Sequence, residues 1–493
     1  MDVVEAGIAD AATIAKYEAV IGLEVHCQLG TKTKIFCACS TEFGNPPNTQ
    51  TCPVCLGLPG ALPVLNKEVV ALAVRASLAL NCQVRQFSRF ARKNYFYPDL
   101  PKGYQISQYD QPLAEHGWLE IVLENGQVKR IGITRVHLED DAGKTSHEGF
   151  SDSGRYSYVD LNRTGVPLIE IVSEPDLRTS DEAFAYLTDL KQIMQFVGVS
   201  DCDMEKGQLR CDANVSVRLR GAEKFGTKAE VKNLNSFRFA KQALEYEIAR
   251  QVAIIEAGGE IPQETRLFNP ATGETATMRS KEEAHDYRYF PEPDLMPLII
   301  SDQWREEIRR AMPELPAAKR QRFVEEYGLS GYDAGVLSST QALADFFEEA
   351  AKASGDAKTA ANWVQGDLTG ALNATGKTIA ESPVSAANLA ELVKLIAGGT
   401  LSGKLGKEVF ARMLESGRTA GEIIEAEGLK QISDTGALQK IIEEVLAKNP
   451  GQVETYKNGK TSVLGFFVGQ VMKATRGQAN PGAVNELLKK ALE

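Results

Sequence analysis

The sequence has no excess of positive charge and no long apolar run. Its 493 residues carry 55 Lys and Arg against 66 Asp and Glu, a net charge of −11. This balance excludes binding to nucleic acid or anionic membranes through bulk charge, although it leaves room for a local basic patch. The longest uncharged run, residues 43–66, contains five prolines, so it does not form a membrane-spanning helix.

Targeting signals and the common nucleotide-binding loops are also lacking. The first ten residues hold three acidic residues and no basic cluster, unlike a signal or transit peptide. Gly-Lys-Thr begins at positions 143, 376 and 459, but the first glycine of a Walker-type phosphate loop is replaced each time. A dinucleotide fingerprint and a hydrolase elbow are likewise missing. We expect a cytoplasmic protein that does not associate with a membrane.

Cysteine is scarce, and half of it is clustered. Eight cysteines are too few for a disulfide scaffold in a chain of this length. Four of them form two close pairs, Cys37 with Cys39 and Cys52 with Cys55. Two tight pairs joined by a short loop are typical of a zinc site, and four protein ligands leave no position for water. The pattern predicts a structural zinc ion; four unrelated buried thiols are the alternative.

Length and hydropathy patterning predict three domains of the α+β class. Up to about residue 300, short runs alternate between apolar and polar residues, which indicates a mostly antiparallel sheet interrupted by helices. After Pro297, helical stripes replace that alternation. The predicted domains are a sheet domain over 1–300, an all-helical domain over 301–402 and a small helical tail domain over 403–493.

Charged residues line one face of each of four predicted strands. Because side chains alternate along a strand, Glu24, His26 and Gln28 share one face of the first. The other three faces carry Arg135, His137 and Glu139, then Arg210, Asp212 and Asn214, then Lys228, Glu230 and Lys232. Carboxylates suit Mg²⁺ and basic side chains suit nucleotide phosphates, so these faces predict a metal and nucleotide site. A plain solvated sheet would show the same alternation.

Two further segments have a composition suited to nucleic acid. Residues 92–112 interleave tyrosines with Arg, Lys and Pro, a pattern that fits stacking on bases and equally fits loop anchors. Residues 457–490 reverse the overall charge, with six basic residues against Glu486 alone. This basic tail suits contact with a polyanion, and a solvated helix is the alternative.

Several long motifs stand out along almost the whole chain. They include Val20-Ile-Gly-Leu-Glu-Val-His26, Arg92-Lys-Asn-Tyr-Phe-Tyr-Pro-Asp99, Glu139-Asp-Asp-Ala-Gly-Lys144, Leu209-Arg-Cys-Asp-Ala-Asn214 and Asp286-Tyr-Arg-Tyr-Phe-Pro-Glu-Pro-Asp294. With these motifs the chain resembles, from about Tyr17 to its end, the B-subunit (GatB) family of aspartyl/glutamyl-tRNA amidotransferases. The resemblance implies a cradle domain similar to glutamine synthetase, a helical domain and a small tail that contacts tRNA. Residues 1–16 lie outside it and are expected to be a disordered extension.

The resemblance implies ATP-dependent transamidation of misacylated tRNA. ATP phosphorylates the side-chain carboxylate of Glu-tRNA(Gln), Asp-tRNA(Asn) or both, and ammonia displaces the phosphate to give Gln-tRNA(Gln) or Asn-tRNA(Asn). The chain is then a carbon–nitrogen ligase of protein biosynthesis with glutamine as amide donor, and its cofactors are ATP and Mg²⁺. Because the chain shows no glutaminase pattern of its own, the implied partners are an A-type amidase (glutaminase) and a small C-type bridging subunit in a heterotrimer.

The same resemblance assigns roles residue by residue. The implied Mg²⁺ ligands are Glu24, His26, Glu139, Asp212 and Glu230. The implied catalytic residues are Glu24 and His26 together with Lys93, Tyr95 and Lys102, the last three at positions where the family passes ammonia to the acceptor. Arg135, Arg210 and Lys228, from the strand faces, are the expected contacts to ATP. Glu170 lies in a matching motif without an assigned role, and the four cysteines match zinc-binding members.

Two other functions fit parts of this pattern. A small-molecule carboxylate–amine ligase would use the same chemistry but would need neither the helical half nor the basic tail. A non-catalytic zinc protein that only binds tRNA would leave the carboxylate faces without a use.

Overall fold

A computed structural model describes residues 8–123, 125–147, 149, 151–280, 287–428, 435–475, 479 and 481–492. The chain divides into two compact units, Met1–Leu315 and Pro316–Glu493. Within the described ranges, no helix combines the length and the apolar character that crossing a membrane requires.

Sixteen strands lie in the described part of the first unit. They are β1 (Tyr17–Gln28), β2 (Gln83–Val84), β3 (Phe87–Ser88), β4 (Ala91–Asn94), β5 (Tyr104–Ser107), β6 (Ala114–Val122), β7 (Val128–Asp140), β8 (Lys144–Ser146), β9 (Tyr158–Asp160), β10 (Pro167–Ser173), β11 (Leu209–Leu219), β12 (Ala229–Lys232), β13 (Glu264–Asn269), β14 (Glu274–Ser280), β15 (Phe290–Pro291) and β16 (Leu298–Ile299).

A nine-stranded sheet organises this unit, in the order β14-β13-β12-β11-β1-β10-β7-β6-β2. β12 and β13 pair in parallel, and the other neighbours in this sheet pair antiparallel. A three-stranded sheet, β15-β4-β5, and two strand pairs complete the described strands. The predicted α+β class and its mostly antiparallel sheet are confirmed.

Helices cover one face of the large sheet. The first unit contains α1 (Ala11–Ile14), α2 (Pro53–Leu56), α3 (Lys67–Ala79), α4 (Ser180–Phe196), α5 (Phe237–Glu256) and α6 (Asp302–Arg310). Side chains of Asn66, Thr179 and Ser236 cap α3, α4 and α5 by accepting a backbone N–H bond. These three helices pack on sheet strands and share one apolar core with them. The opposite face of the sheet is therefore left to polar side chains.

Alternation along β1 decides which residues reach each face. Leu23, Val25 and Cys27 are buried in the core below the sheet. The residues between them, Glu24 and His26, are partly exposed on the other face. The polar face predicted for this strand therefore exists and lies beside two neighbouring strands.

The first unit differs from the predicted sheet domain at both ends. Residues 1–7 of the expected disordered extension lie outside the described residues. Residues 8–16 instead contain α1, and the Asp10 side chain caps it by accepting from the Thr13 amide at 2.8 Å. At the other end the unit continues past residue 300, because Ile308 of α6 is buried in the same core and Gln86 Nε2 donates to Asp302 Oδ2 at 2.8 Å.

The second unit is helical throughout its described elements. They are α7 (Pro316–Tyr327), α8 (Gly331–Leu337), α9 (Gln341–Ser354), α10 (Ala357–Asn362), a π-helix (Trp363–Leu368), α11 (Thr369–Thr375), a 3₁₀ turn (Ile379–Glu381), α12 (Ala386–Ala397), α13 (Gly403–Ser416), α14 (Ala420–Glu427), α15 (Thr435–Lys448), α16 (Pro450–Lys457), a 3₁₀ turn (Thr461–Val463), α17 (Leu464–Ala474) and α18 (Pro481–Leu492).

Packing divides the predicted tail domain between two groups of helices. Trp363 contacts Phe410 of α13 with ring centroids 5.2 Å apart, and a Cβ on Gly406 would lie 2.7 Å from Ile396 of α12. These close contacts join α13 to the preceding helices. A separate apolar cluster forms further on, around Leu438, Phe467, Val471 and Leu488. The predicted boundary at 402/403 therefore falls inside a packed group, and the separate tail core includes α15, α17 and α18.

The basic residues of the tail are exposed where the structure describes them. Lys457, Lys460, Lys473, Lys489 and Lys490 lie at the surface, and Arg476 lies outside the described residues. Phe467 and Val471 of α17 are buried, so this helix turns an apolar side inward.

Candidate functional site

Strand register brings remote residues together on the polar face of the sheet. His26 on β1 lies between Glu170 of β10 and Arg210 of β11 in the Cα pairing. Glu170 in turn lies opposite His137 of β7. Directly opposed side chains in antiparallel strands are in reach of one another, so three strands converge on Glu170.

Two histidines and two glutamates form a compact buried group there. His26 Nε2 lies 3.6 Å from Glu139 Oε1 and 3.5 Å from Glu170 Oε2. His137 Nε2 lies 3.2 Å from the same Glu170 oxygen and 3.8 Å from Glu139 Oε2. Ligand atoms of His26, Glu139 and Glu170 all lie within 4.8 Å of one another, close enough for one metal ion. We call these three residues the His–Glu group.

The charges of the His–Glu group and of neighbouring His137 stabilise each other. Burial opposes the charged ring, but Glu170 and Glu139 raise the pKa of His137 to about 9. Burial also opposes the Glu170 carboxylate, yet His137 and His26 hold its pKa well below the ordinary value. Side-chain exposure is 3% for Glu139 and 22% for His26, so His26 is the member of the group that faces the open side.

Lys93 adds a positive charge beside the same carboxylates. Burial disfavours its ammonium group, but Glu139, Tyr289 and Glu170 raise its pKa above the ordinary value. Its Nζ also lies 5.0 Å from the ring centroid of Tyr287. Lys93 therefore stays charged at neutral pH and faces the His–Glu group.

The other predicted Mg²⁺ ligands lie elsewhere on the same face. Glu24 lies opposite Asp212 in the register, and its Oε1 accepts from Asn214 Nδ2 at 2.9 Å. Lys232 Nζ lies 2.7 Å from Asp212 Oδ2 and 3.2 Å from Glu230 Oε1. Among the described side chains, the carboxylate oxygens of Glu24, Asp212 and Glu230 do not form a group within 4.8 Å of one another, as the ligand atoms of the His–Glu group do. The face thus holds a second acidic region balanced by a lysine.

A cavity of about 290 Å³ opens beside Glu24. Its lining includes Gly22, Glu24, Asn214, Ser216, Phe225 and Lys228. Gly226 forms part of the wall, where a Cβ would lie 2.3 Å from the Val217 carbonyl oxygen, so only glycine permits this close approach. Asn214 Oδ1 is buried without a protein hydrogen-bond partner. The cavity thus combines a lysine, a carboxylate and an unsatisfied acceptor.

Of the three predicted ATP contacts, Lys228 lines this cavity and the two arginines lie outside its described lining. Arg210 Nη2 lies 2.8 Å from Asp141 Oδ2, which also accepts from Gln28 Nε2 at 2.9 Å. Arg135 Nε is buried without a protein hydrogen-bond partner. Arg210 therefore compensates a buried carboxylate through Nη2, and its own Nε, like that of Arg135, is buried without a protein hydrogen-bond partner.

Lys102 and Tyr95 belong to a neighbouring polar region. Lys102 Nζ forms an ion pair with Asp140 Oδ2, and Asp140 Oδ1 accepts from the Ile106 amide at 2.7 Å. Tyr95 donates its hydroxyl to Gln105 Oε1 at 3.2 Å. A cavity of about 260 Å³ has Lys102, Asp140 and Tyr104 on one side and Cys37 and Cys55 on another. This arrangement connects the cysteine region to the Lys102–Asp140 pair.

The four predicted zinc ligands converge. Cys55 Sγ lies 3.4 Å from Cys37 Sγ, 3.6 Å from Cys52 Sγ and 3.7 Å from Cys39 Sγ. Four sulfurs around a tetrahedral Zn²⁺, with bonds of about 2.3 Å, lie about 3.8 Å apart, so this spacing fits the ion. We call these residues the Cys group. Its existence is confirmed as a cluster able to hold a metal.

Sequence reasoning left Glu170 without a role and His137 outside the predicted ligands. The available signal was local: Glu170 is the single charged residue in the apolar run of residues 167–172. A lone carboxylate in a strand buried on both sides needs a partner charge. Its partners, His26 and His137, lie far away in the sequence and are identified by the strand register.

A polar face with buried charged groups and adjoining cavities is typical of an enzyme active site. The chain belongs to the GatB/GatE family: residues 19–306 match the GatB/GatE catalytic domain, and residues 345–492 match the GatB domain. The family predicted from the motifs is confirmed.

Known relatives resemble the chain along almost its whole length. It is 60% identical over 477 residues to the B subunit of the aspartyl/glutamyl-tRNA(Asn/Gln) amidotransferase of Carboxydothermus hydrogenoformans, covering 97% of this chain and 99% of the relative. The corresponding protein of Geobacter sulfurreducens gives the same identity and coverage. That of Geotalea daltonii is 59% identical over 478 residues, covering 97% of this chain and 100% of the relative.

Proposed function

We propose that the chain is the subunit of a tRNA-dependent amidotransferase that activates the acceptor carboxylate with ATP and converts it to the amide with ammonia. The acceptor is the side chain of Glu on tRNA(Gln), of Asp on tRNA(Asn), or both. The observation that carries the proposal is the buried His–Glu group beside charged Lys93, on the open face of a GatB/GatE catalytic domain. Forming an acyl phosphate brings two anions together, so a site with concentrated cationic charge is needed.

The donor set of the His–Glu group supports a divalent cation, which we propose to be Mg²⁺. The two glutamates offer the oxygen ligands that Mg²⁺ prefers, and His26 would be a third ligand or would position a bound water or a carboxylate. The remaining positions would be left for water and substrate. When bound, the ion offsets the charge of the phosphates and polarises the phosphoryl group. His137 orients Glu170 from the side, and Lys93 holds a positive charge where the acceptor carboxylate must approach.

The cavity beside Glu24 is the proposed place for ATP. Lys228 supplies a cation for phosphate, Asn214 Oδ1 offers an unsatisfied acceptor, and exposed Phe225 offers an aromatic face. Glu24 lies two residues before His26 on the same face of β1, so a nucleotide in this cavity would direct its phosphates toward the His–Glu group. Asp212 lies opposite Glu24 on β11, and Glu230 lies one strand further from the His–Glu group, opposite Asn214.

Ammonia is proposed to arrive from the region of Lys102. A cavity is lined by the Lys102–Asp140 pair and by two cysteines of the Cys group. Gln105 links this pair to Tyr95, because its Nε2 donates to the Asp140 carbonyl oxygen and its Oε1 accepts from the Tyr95 hydroxyl. The chain belongs to a multi-subunit enzyme, and the proposed ammonia source is an A-type amidase, which a small C-type subunit joins to this chain. Zn²⁺ is the proposed occupant of the Cys group, where all four positions are filled by protein and its role is structural.

The test is ATP turnover by the reconstituted complex with ammonia as donor. We expect phosphate release with misacylated tRNA and little with correctly acylated or uncharged tRNA. Equal turnover with all three would contradict the proposal, and turnover with free glutamate would favour a small-molecule ligase. Glu24→Ala or Asp212→Ala should abolish this turnover and leave the partner's glutaminase intact, whereas Lys102→Met should lower amidation with glutamine more than with added ammonium.

A further inference from the structure

Five tyrosine rings form a continuous row at the edge of the catalytic unit. Tyr97 meets Tyr95 with ring centroids 5.9 Å apart, and Tyr95 meets Tyr287 at 6.2 Å. Tyr287 meets Tyr289 at 6.0 Å, and Tyr289 stacks on Tyr109 at 4.2 Å. The first three contacts are edge-to-face, whereas the last is nearly parallel, with 7° between the ring planes.

The middle of the row lies beside Lys93 of the catalytic site. Lys93 Nζ lies 5.0 Å from the centroid of Tyr287, in the middle of the row. Burial raises the pKa of Tyr289 to about 12, with Glu139 and Glu170 contributing in the same direction against Lys93. Tyr289 is therefore within electrostatic reach of the carboxylates of the His–Glu group.

The row ends at the surface in its stacked pair. Tyr109 is 52% exposed, although its ring lies flat against Tyr289. Two parallel rings with a solvent-facing side offer a platform on which a further planar ring continues the stack. Base–aromatic stacking of this kind is how proteins hold unpaired nucleotides.

An arginine lies between two tyrosines of the row in the chain. Arg288 is exposed and lies between Tyr287 and Tyr289 in the chain, with φ +45°, a backbone conformation uncommon for a residue other than glycine. Its guanidinium lies 5.8 Å from the ring of Phe96, which is 75% exposed. Exposed aromatic rings with an arginine among them match the composition of single-strand nucleic-acid sites.

We propose that the Tyr109–Tyr289 pair stacks the unpaired 3′-terminal base of the acylated tRNA, with Arg288 meeting a phosphate of the same strand. The assignment deepens the proposed function and rests on it. The amino acid is esterified to the ribose of that terminal nucleoside, so its base must lie within one nucleoside's reach of the reacting carboxylate. The tyrosine row joins Lys93, beside the His–Glu group, to the stacking platform. Stacking of this kind requires no base-specific hydrogen bond.

Kinetics of the reconstituted complex test this role. Tyr109→Ala and Tyr289→Ala should each raise KM for misacylated tRNA about tenfold, the usual scale for losing one stacked base, and leave KM for ATP unchanged. Tyr109→Phe and Tyr289→Phe keep the ring and should retain the wild-type KM. Tyr332→Ala, which removes an exposed tyrosine of α8, is the matched control and should have no effect.

A direct readout uses misacylated tRNA with 2-aminopurine in place of the terminal adenine. Wild-type protein should quench its fluorescence on binding, and Tyr109→Ala should not. If the alanine variants keep the wild-type KM and still quench the fluorescence, the stacking role is overturned. It is also overturned if the alanine variants lose the co-purifying subunits but still quench, because the platform would then contact a partner protein. A wild-type complex that amidates no misacylated tRNA would instead overturn the proposed function, so the two failures are distinguishable.

Discussion

The two metal-capable groups of the catalytic unit are built in opposite ways. The Cys group comes from residues 37–55 and brings its four sulfurs together on short turns. The His–Glu group draws one residue each from β1, β7 and β10, and β1 is separated from the other two by more than a hundred positions in the chain. The spacing of cysteines in the sequence predicts the Cys group. The His–Glu group is assembled by a sheet, so it can be identified only once the strand register is known.

The two groups also differ in how their charge is balanced. Beside the Cys group, fully buried Lys34 donates to Gln50 O at 2.6 Å and to Cys55 Sγ at 3.6 Å. Hydrogen bonding from Cys37, together with the Lys34 charge, lowers the pKa of Cys55 to about 4 against the effect of burial. The His–Glu group is balanced by His137 and by Lys93 and faces the open side through His26. The arrangement at the Cys group suits a closed structural metal site. The arrangement at the His–Glu group suits a site that substrates enter and leave.

Replacing Glu170 should give the largest difference between the two groups, because it should affect amidation and leave the Cys group intact. Glu170→Gln keeps the shape but removes the charge shared by His26 and His137, so amidation should fall about a hundredfold or more. Its zinc content should stay near that of the wild type. Glu120→Gln, an exposed change on β6 of the same sheet, is the control. Activity of Glu170→Gln within twofold of wild type would contradict the assignment.

Removing one thiol of the Cys group should instead affect zinc binding and stability. Cys52→Ser should abolish zinc binding and lower the melting temperature by about 5 °C or more, because a metal that binds only the folded state stabilises it. Metal analysis and thermal unfolding with and without a chelator measure both effects. Cys211→Ser, on the apolar side of β11, should keep its zinc. If a chelator lowers the melting temperature of Cys52→Ser as much as that of wild type, the Cys group is not the stabilising site.

Lys34 should have the smallest effect and should act on the Cys group alone. Lys34→Met preserves the length of the side chain but removes the buried charge beside Cys55, so zinc affinity should fall about tenfold. Lys32→Met changes an exposed lysine two residues away and is the matched control. A competition titration with a zinc chelator measures the affinities. Identical affinities for the two variants would show that the Lys34 ammonium does not stabilise the bound metal.

Local signals predicted much of the fold. The capping residue Asn66 precedes α3, where its side chain accepts from the Glu68 amide, and the apolar stripe of α3 packs in the core. Thr340 caps α9 in the same way. The domain boundaries were harder to predict from the sequence. They depend on long-range packing, such as the burial of Ile308 and the contact of Trp363 with Phe410.

By itself, the sequence determined the α+β class, the family and the convergence of four cysteines, because each depends on short-range periodicity, motifs or spacing. Only the tertiary structure decided which carboxylates share a site. It joined Glu139 and Glu170 to His26, and it left Asp212 and Glu230 with Lys232. The physical reason is register: pairing between strands sets which side chains face each other, and a shift of one residue would turn every one of them to the opposite face.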